Sequence, residues 1–361
     1  MRPFDVKIAV VFNEHIESRG DYHSTNEISY SLNPEGLIET TTELVDLSEV
    51  GVIEERLQVE AALKEKGFQT QSFNINNDIQ SLVSFLSEEK PKLVFNLCES
   101  LFGKAIHEMH VAGVFELMNV NYTGSPSITL GACLNKVWTK EILKHYDIPV
   151  ARHQVYESKD QLKNRNFKLS FPVIVKPLGE DASAGIENDS VVYDFKNLVS
   201  RVTKILTTFN QPALVEEYID GREINVAILG NTPPQVLPLS EIDFSELPPD
   251  YPRIVTYNAK WLEGSLEYNG TVGKCPAVLS RSVEEKIKRI ALCAYSVMGV
   301  RDYARVDIRL DKNNTPYVLE INPNPDISRD AGFIRSAKFA GMTFEDVMEA
   351  IVQCALMRCK V

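Results

Sequence analysis

Two short segments alternate polar and apolar residues: Arg305-Val306-Asp307-Ile308-Arg309 and Leu319-Glu320-Ile321-Asn322. On a strand, side chains point to opposite faces in turn, so Arg305, Asp307 and Arg309 share one face, and Glu320 and Asn322 share another. Between them, Asp311-Lys312-Asn313-Asn314 reads as the turn of a hairpin. If the two strands pair, Asp307, Glu320 and Asn322 converge. Three hard oxygen donors on rigid strands suit Mg²⁺, which completes its shell with phosphate and water. The same spacing also fits the solvated faces of an ordinary hairpin, and spacing alone leaves both readings open.

Lys176 ends the apolar strand Pro172–Pro177 and is followed by the small-residue loop Gly179-Glu180-Asp181-Ala182-Ser183-Ala184-Gly185. A strand-end lysine beside such a loop can clamp phosphates as a point charge while backbone N–H groups cover them. Lys136, on a preceding helix, is a second candidate. Taken singly, either lysine also fits an ordinary surface position. The loop does not match G-x-x-x-x-G-K-S/T, so a Walker-type site is not supported. In Val215-Glu216-Glu217-Tyr218-Ile219-Asp220-Gly221-Arg222-Glu223, a strand running into a glycine turn offers backbone groups to an adenine edge. Glu223 can accept from ribose hydroxyls. A plain acidic strand end has the same composition.

Elements that would carry these residues follow from apolar periodicity. Strands are expected at 6–12, 68–75 and 92–97, with helices at 54–66, 79–86 and 107–118. That β–α alternation argues for a parallel sheet. A helix is expected at about 134–145, strands at 172–177, 191–193, 213–218 and 223–229, and a helix at 195–209. Residues 231–275, rich in proline, glycine and polar groups, read as an irregular segment over the site. Helices at 283–298 and 344–357 flank the hairpin, and residues 16–50 read as an insertion or mobile loop. A chain of 361 residues is too long for one core. The divisions expected are 1–128, 129–214 and 215–361.

The formal net charge of −12 repels phosphate backbones, so nucleic acid is not an expected partner. No apolar run approaches the roughly 20 residues that span a bilayer. The first apolar run is short and broken by Lys7, unlike a secretory leader, and the six cysteines lack C-x-x-C spacing. These features together point to the cytoplasm.

As a set, Lys136, Val175-Lys176-Pro177, Glu216-Glu217-Tyr218-Ile219 with Glu223, Arg305-x-Asp307 and Glu320-Ile321-Asn322-Pro323 resemble the ATP-grasp ligases, and most closely D-alanine–D-alanine ligase. Tyr122-Thr123-Gly124-Ser125, Ala259-Lys260-Trp261 and Cys275-Pro276-Ala277 extend the likeness over nearly all the chain after residue 90. The resemblance implies an α/β (α+β) ATP-grasp fold: an N-terminal parallel-sheet pre-ATP-grasp domain, then a two-lobed ATP-grasp module. It implies that ATP and Mg²⁺ are used, with two metal ions held by Asp307, Glu320 and Asn322 and Mn²⁺ able to substitute. Lys136, Lys176, Lys260 and Ser183 would hold phosphates. Glu216, Glu217, Tyr218, Ile219 and Leu319 would frame adenine, and Glu223 would hold ribose. Arg305 and Lys260 would be catalytic. The implied partners are a small-molecule carboxylate, an amine and, in a homodimer, a second copy.

The substrate half departs from the family pattern. Where the family has a glycine-rich strand–loop and an acid, this chain has Phe12-Asn13-Glu14-His15, so Glu14 is the candidate acid. The loop serine falls at Ala182 and the lid tyrosine at Trp261. Indole only donates, and alanine does neither. Asp326 and Ser328 stand where the second substrate's carboxylate is received, a place for Asp326 only if Arg329 or Arg335 compensates. In the family the segment that carries Glu108 faces the first substrate, which makes Glu108 a further candidate; exposed polar helix residues have the same composition. These departures point to a carboxylate and an amine other than two D-alanines. A genuine D-alanine–D-alanine ligase, a ligase acting on a phosphate-activated carbonyl such as a mycosporine core, and a non-catalytic ATP- or metabolite-binding relative are the alternatives.

Overall fold

The computed structural model describes residues 6–14, 30–32, 38–40 and 47–358. Most of the insertion expected at 16–50 lies outside them. Strand β1 (Lys7–Phe12) is followed by the antiparallel pair β2 (Tyr30–Leu32) and β3 (Ile38–Thr40) and by helix α1 (Leu47–Glu65). Then come β4 (Gln69–Asn74), α2 (Ile79–Glu89), β5 (Leu93–Asn96) and α3 (His107–Leu117). The sheet order is β4-β1-β5, all parallel. Parallel strands covered on both faces read as near-continuous apolar runs. Accordingly Ile8 to Phe12 are all buried.

Helix α4 (Ser127–Leu134), which the periodicity did not predict, precedes α5 (Lys136–His145). The break falls at Asn135, whose extended backbone lets its side chain accept from the Val137 and Trp138 amides at 3.2 and 3.1 Å. That cap satisfies donors no helical carbonyl can reach and starts α5 at Lys136. The central sheet comprises β6 (His153–Tyr156), β7 (Val173–Pro177) and β8 (Val191–Val192), then, after α6 (Phe195–Thr208), β9 (Ala213–Glu217). Its order is β6-β9-β7-β8, antiparallel. Leu198, Val202 and Ile205 of α6 seal its core against Val173, Val175 and Val215. The division expected between 214 and 215 falls inside β9, which pairs along its length within this sheet.

Strands β10 (Gly221–Leu229), β11 (Gln235–Val236) and β12 (Ser240–Asp243) lead to the short helices α7 (Tyr257–Trp261) and α8 (Leu266–Asn269) and to β13 (Val272–Lys274). Residues 231–275 are therefore not irregular: β12 and β13 pair onto β10 and extend its sheet. Helix α9 (Arg281–Val297), the hairpin β14 (Tyr303–Asp311) and β15 (Pro316–Asn322), and helices α10 (Gly332–Phe339) and α11 (Phe344–Arg358) complete the chain; α10 was not expected. The path through the sheet is β13-β12-β10-β14-β15. Gly221 opens β10 because a Cβ there would lie 2.0 Å from the Leu310 carbonyl oxygen. On one face of the sheet, Val347, Met348, Ile351 and Val352 of α11 share a core with Ile8 and Val10 of β1, Val59 and Leu63 of α1, and Ala227 and Leu229 of β10.

Candidate active site

The hairpin forms as the alternation requires. Asp307 faces Glu320 and Arg305 faces Asn322 across β14 and β15. The register then shifts between Asp307 and Ile308, so that Ile308 pairs with Val318 and Leu319 has no opposite residue. Such a bulge re-aims the side chains beside it. Leu319 and Glu320, which simple alternation would send to opposite faces, both line a cavity of about 250 Å³ together with Arg305 and Asp307.

Asp307 accepts four hydrogen bonds. Its Oδ1 takes Arg305 Nε at 2.8 Å and Asn225 Nδ2 at 2.7 Å; its Oδ2 takes Arg305 Nη2 at 2.9 Å and Asn322 Nδ2 at 3.1 Å. Asn225, its cross-strand neighbour on β10, escaped the sequence reading. Glu320 accepts no hydrogen bond among the described residues. Burial opposes its ionisation, but Lys136, Lys260, Lys176 and Arg305 outweigh burial and hold its carboxyl at about 2. Asn322, donating through Nδ2, keeps its carbonyl oxygen for another partner. Two carboxylates and an amide oxygen on adjacent strands fit a hard divalent cation.

A second acid organises the lysines. Glu216 is buried, pairs with Lys140 Nζ at 2.7 Å through one oxygen and meets Lys176 Nζ through the other. Burial pushes its pKa up, yet Lys140 and Lys176 outweigh this and bring it down to about 2. Lys140 also donates to the Leu319 carbonyl at 3.1 Å. Lys136, one turn earlier on α5, donates to the Glu180 carbonyl. Burial lowers the pKa of both lysines. Lys140 was not foreseen; the available signal was its i+4 spacing from Lys136, which puts both on one helix face.

All the residues expected around adenine and ribose line the cavity, Tyr218, Ile219, Glu223 and Leu319 among them. Glu216 also lines it, but its carboxylate is engaged by the lysines. Glu217 lines the cavity as well, while its carboxylate accepts from Arg152 Nη1 at 3.1 Å and the Ser170 amide at 3.0 Å. Glu223 shares its surroundings with Arg309, whose Nη1 lies 3.6 Å from its carboxylate and whose guanidinium sits 5.8 Å from the Tyr218 ring centroid. Burial raises the Glu223 pKa, Arg309 opposes it, and Asp307 and Glu320 push it up further.

The small-residue loop is joined to α7 and the residues before it. Ser183 Oγ donates to the Val255 carbonyl at 3.0 Å, the Tyr257 amide to Ile186 at 2.9 Å, and Trp261 Nε1 to the Ala182 carbonyl at 3.1 Å. Ala182 and Ser183 adopt left-handed backbone, φ 48° and 63°. Trp261, expected at the substrate, thus ties α7 to the small-residue loop. Its donor-only indole meets a main-chain oxygen, so the alanine at 182 loses nothing. Lys260 lines the cavity from the same short helix. Replacing Trp261 with Phe keeps the ring and removes this one bond. Product yield per ATP consumed is expected to fall about 3- to 10-fold, the worth of one net hydrogen bond, read as phosphate released without coupled product.

A smaller cavity of about 80 Å³ is lined by Asn13, Glu99, Ser100, Asp181, Ala182 and Tyr257 among others. Of the expected substrate residues, Glu108 and Asp326 lie within electrostatic reach of Glu99, whereas Glu14 and Ser328 line neither cavity. The Glu14 amide donates to Asn74 Oδ1 at 2.9 Å. Asp326 is exposed and accepts from the Ser328 amide at 2.7 Å, while Ser328 Oγ donates to Asp330 at 3.1 Å, so these residues close a turn on themselves. Glu108 accepts from Asn324 Nδ2 at 3.0 Å.

Burial, then the Asp326 charge, pushes Glu55 up to about 8, and burial, then Asp181, does the same to Glu108. Glu99 is also raised, first by burial and then by Glu55, Asp181, Asp326 and Glu108. A carboxyl raised on folding binds its proton more tightly in the native state. Stability therefore falls as pH rises from the ordinary value of 4.5 to about 8 for Glu55 and Glu108. Thermal melts across this window are expected to show Tm declining toward pH 8, with a shallower slope in Glu55→Gln and Glu108→Gln.

The family model described as "D-ala D-ala ligase C-terminus" matches residues 142–353. An uncharacterised protein of Sinorhizobium fredii is 35% identical over 74% of this chain and 75% of its own length. The D-alanine–D-alanine ligase of Desulforudis audaxviator is 31% identical over 82% of this chain and 91% of its own. The crystal structure of D-alanine–D-alanine ligase from Bacillus anthracis complexed with ATP superposes with a TM-score of 0.68 at 20% identity, covering 98% of this chain and 99% of that one. A further Bacillus anthracis structure of that enzyme gives a TM-score of 0.71 at 22% identity with the same coverage.

Proposed function

The chain belongs to the D-alanine–D-alanine ligase family and is an ATP-dependent, ADP-forming carboxylate–amine ligase, and we propose that it joins a carboxylate and an amine other than two D-alanines. The observation that carries the ligase chemistry is Glu320. It stands opposite Asp307 with no hydrogen bond among the described residues, surrounded by Lys136, Lys176, Lys260 and Arg305.

A carboxylate approaching the terminal phosphate of ATP meets like-charge repulsion, and fixed cations remove it. Lys136 and Lys176 are aimed for this by Asn135 and Glu216, and Lys260 joins them from α7. Arg305, held in plane by Asp307, faces the transferring phosphoryl group and then the oxyanion formed when the amine attacks the acyl phosphate. Asp307, Glu320 and Asn322 are the residues that would hold Mg²⁺, which neutralises charge between phosphates when bound. The bond from Trp261 to the small-residue loop keeps water from the acyl phosphate. Tyr218, Ile219 and Leu319 would frame adenine and Glu223 would hold ribose.

The rebuilt turn at Asp326 and Ser328 and the position of Glu14 support substrates other than D-alanine. An ADP-release screen over pairs of amino acids and small carboxylic acids, with products weighed by mass spectrometry, tests this. Robust dipeptide formation from D-alanine alone would overturn the substrate proposal. We also propose functional units at 1–128, 129–217 and 218–361, with the second boundary moved past β9. No described helix is long and apolar enough to cross a membrane; a cytoplasmic homodimer is the proposed state, checked by sedimentation.

A further inference from the structure

Two buried charges face each other across β10 and β14, where Glu223 pairs with Arg309 in the strand register. Both line the larger cavity together with Tyr218 and Ile219. Their side chains are 12% and 4% exposed, so solvent screens neither of them well.

Arg309 stands close to Glu223 without donating to it. Its Nη1 lies 3.6 Å from the carboxylate, beyond hydrogen-bond range. Its donors are turned elsewhere: Nη1 donates to the Gly221 carbonyl at 3.2 Å, and Nη2 donates to the Arg253 carbonyl. The Tyr218 hydroxyl donates to that same Arg253 carbonyl at 3.4 Å. The Tyr218 and Phe244 ring centroids lie 5.8 and 5.4 Å from the guanidinium carbon, a range in which a ring attracts a cation. Main-chain oxygens and rings thus fix the arginine, and what it gives Glu223 is charge alone.

Glu223 accepts no hydrogen bond among the described residues. Burial opposes its ionisation, Arg309 counters burial, Asp307 and Glu320 add repulsion, and Lys260 acts on the side of Arg309. Arg305 is spent on Asp307, which takes its Nε and Nη2. A forked pair with arginine would fill the carboxylate's lone pairs. Here they stay open to a ligand, and two oxygens on one carboxylate match two neighbouring hydroxyls. A site built to hydrogen-bond a hydroxyl rejects the analogue that lacks it, because the buried acceptor is then left unpaired.

We propose that Arg309 is a positioning residue for nucleotide choice: as a counter-charge that does not donate, it keeps Glu223 an open acceptor for both ribose hydroxyls and so sets a preference for ribonucleotides over deoxyribonucleotides. This rests on the reading above in which Glu223 holds ribose. Calorimetric binding of ADP, 2′-deoxy-ADP and 3′-deoxy-ADP to the full chain in the presence of Mg²⁺ tests it without any carboxylate or amine substrate.

The wild-type protein is expected to bind ADP about 30-fold more tightly than either deoxy form, the worth of one hydrogen bond to a charged group. R309Q keeps donors for the main-chain carbonyls and loses the charge, so the preference should fall to about 5-fold, the scale of a neutral hydrogen bond. R309K keeps the charge and gives up the planar fork, and should retain most of the preference. E223Q should show the same reduced preference as R309Q, and combining the two should lower it no further. An undiminished preference in R309Q, which a purely structural tie to the carbonyls would give, overturns the proposal while the wild-type preference still upholds Glu223 as the ribose acceptor. Should R309Q fail to fold, R309K decides: a preference retained there supports the proposal and a preference lost overturns it. Equal binding of all three nucleotides by the wild type removes the ribose reading, and the role of Arg309 with it.

Discussion

Glu320→Gln is expected to lower ADP formation by about 10³-fold, the scale of removing a preorganised charge at a phosphoryl-transfer site. The melting temperature should fall as well, because a carboxyl held at about 2 by surrounding cations contributes to stability at neutral pH. Both effects follow from what surrounds Glu320. Its side chain accepts no hydrogen bond among the described residues, so what it contributes to the fold is charge alone. Four cations converge on it and hold it ionised. The glutamine keeps shape and volume and removes only the charge. ADP release and a melt on the same preparation check the pair of outcomes; a variant with near-normal turnover would sink the assignment of the hairpin as the phosphoryl-transfer centre.

Glu216→Gln is expected to weigh mainly on stability, costing about 3–5 kcal/mol by leaving Lys140 and Lys176 buried without their counter-charge. The side chains of Lys140 and Glu216 are each 1% exposed, so solvent does little to soften the loss. Lys140→Met in the same background should recover part of it. The pH dependence has a definite sign. The Glu216 carboxyl is depressed from 4.5 to about 2 in the folded protein, so its contribution is fully present above 4.5 and is lost as pH falls toward 2. Denaturation in urea at stepped pH should show this acid limb in the wild type and a weaker one in Glu216→Gln.

The parts of the site that could be read from sequence are those whose pattern is local. Strict alternation through Arg305–Arg309 and Leu319–Asn322 gave the hairpin and its converging acids, and the apolar run before Lys176 gave the strand that ends on it. What escaped depends on pairing across distance. Lys140 looks like any solvated helix lysine until Glu216 is brought to it by the central sheet. Asn225 is one polar residue in an apolar strand, and only the β10–β14 register sets it against Asp307. The bulge that aims Leu319 and Glu320 together leaves no trace in residue types. In the fold, the α4–α5 break hung on a single Asn135 side chain, and β12 and β13 were hidden in a stretch whose prolines and glycines read as loop. Trp261 looked like a lost hydrogen bond because its acceptor is main chain, which no side-chain comparison can reveal.

The core that helix α11 shares with β1, α1 and β10 has a mechanical consequence. It welds the first sheet and the hairpin sheet into one block, whereas the central sheet is packed largely on its own α6. A movement that admits a nucleotide is expected in the central sheet and α6 and not between the first sheet and the hairpin sheet, which hydrogen exchange with and without nucleotide would check. An excised ATP-binding half would carry a bare oily flank where the first sheet had been.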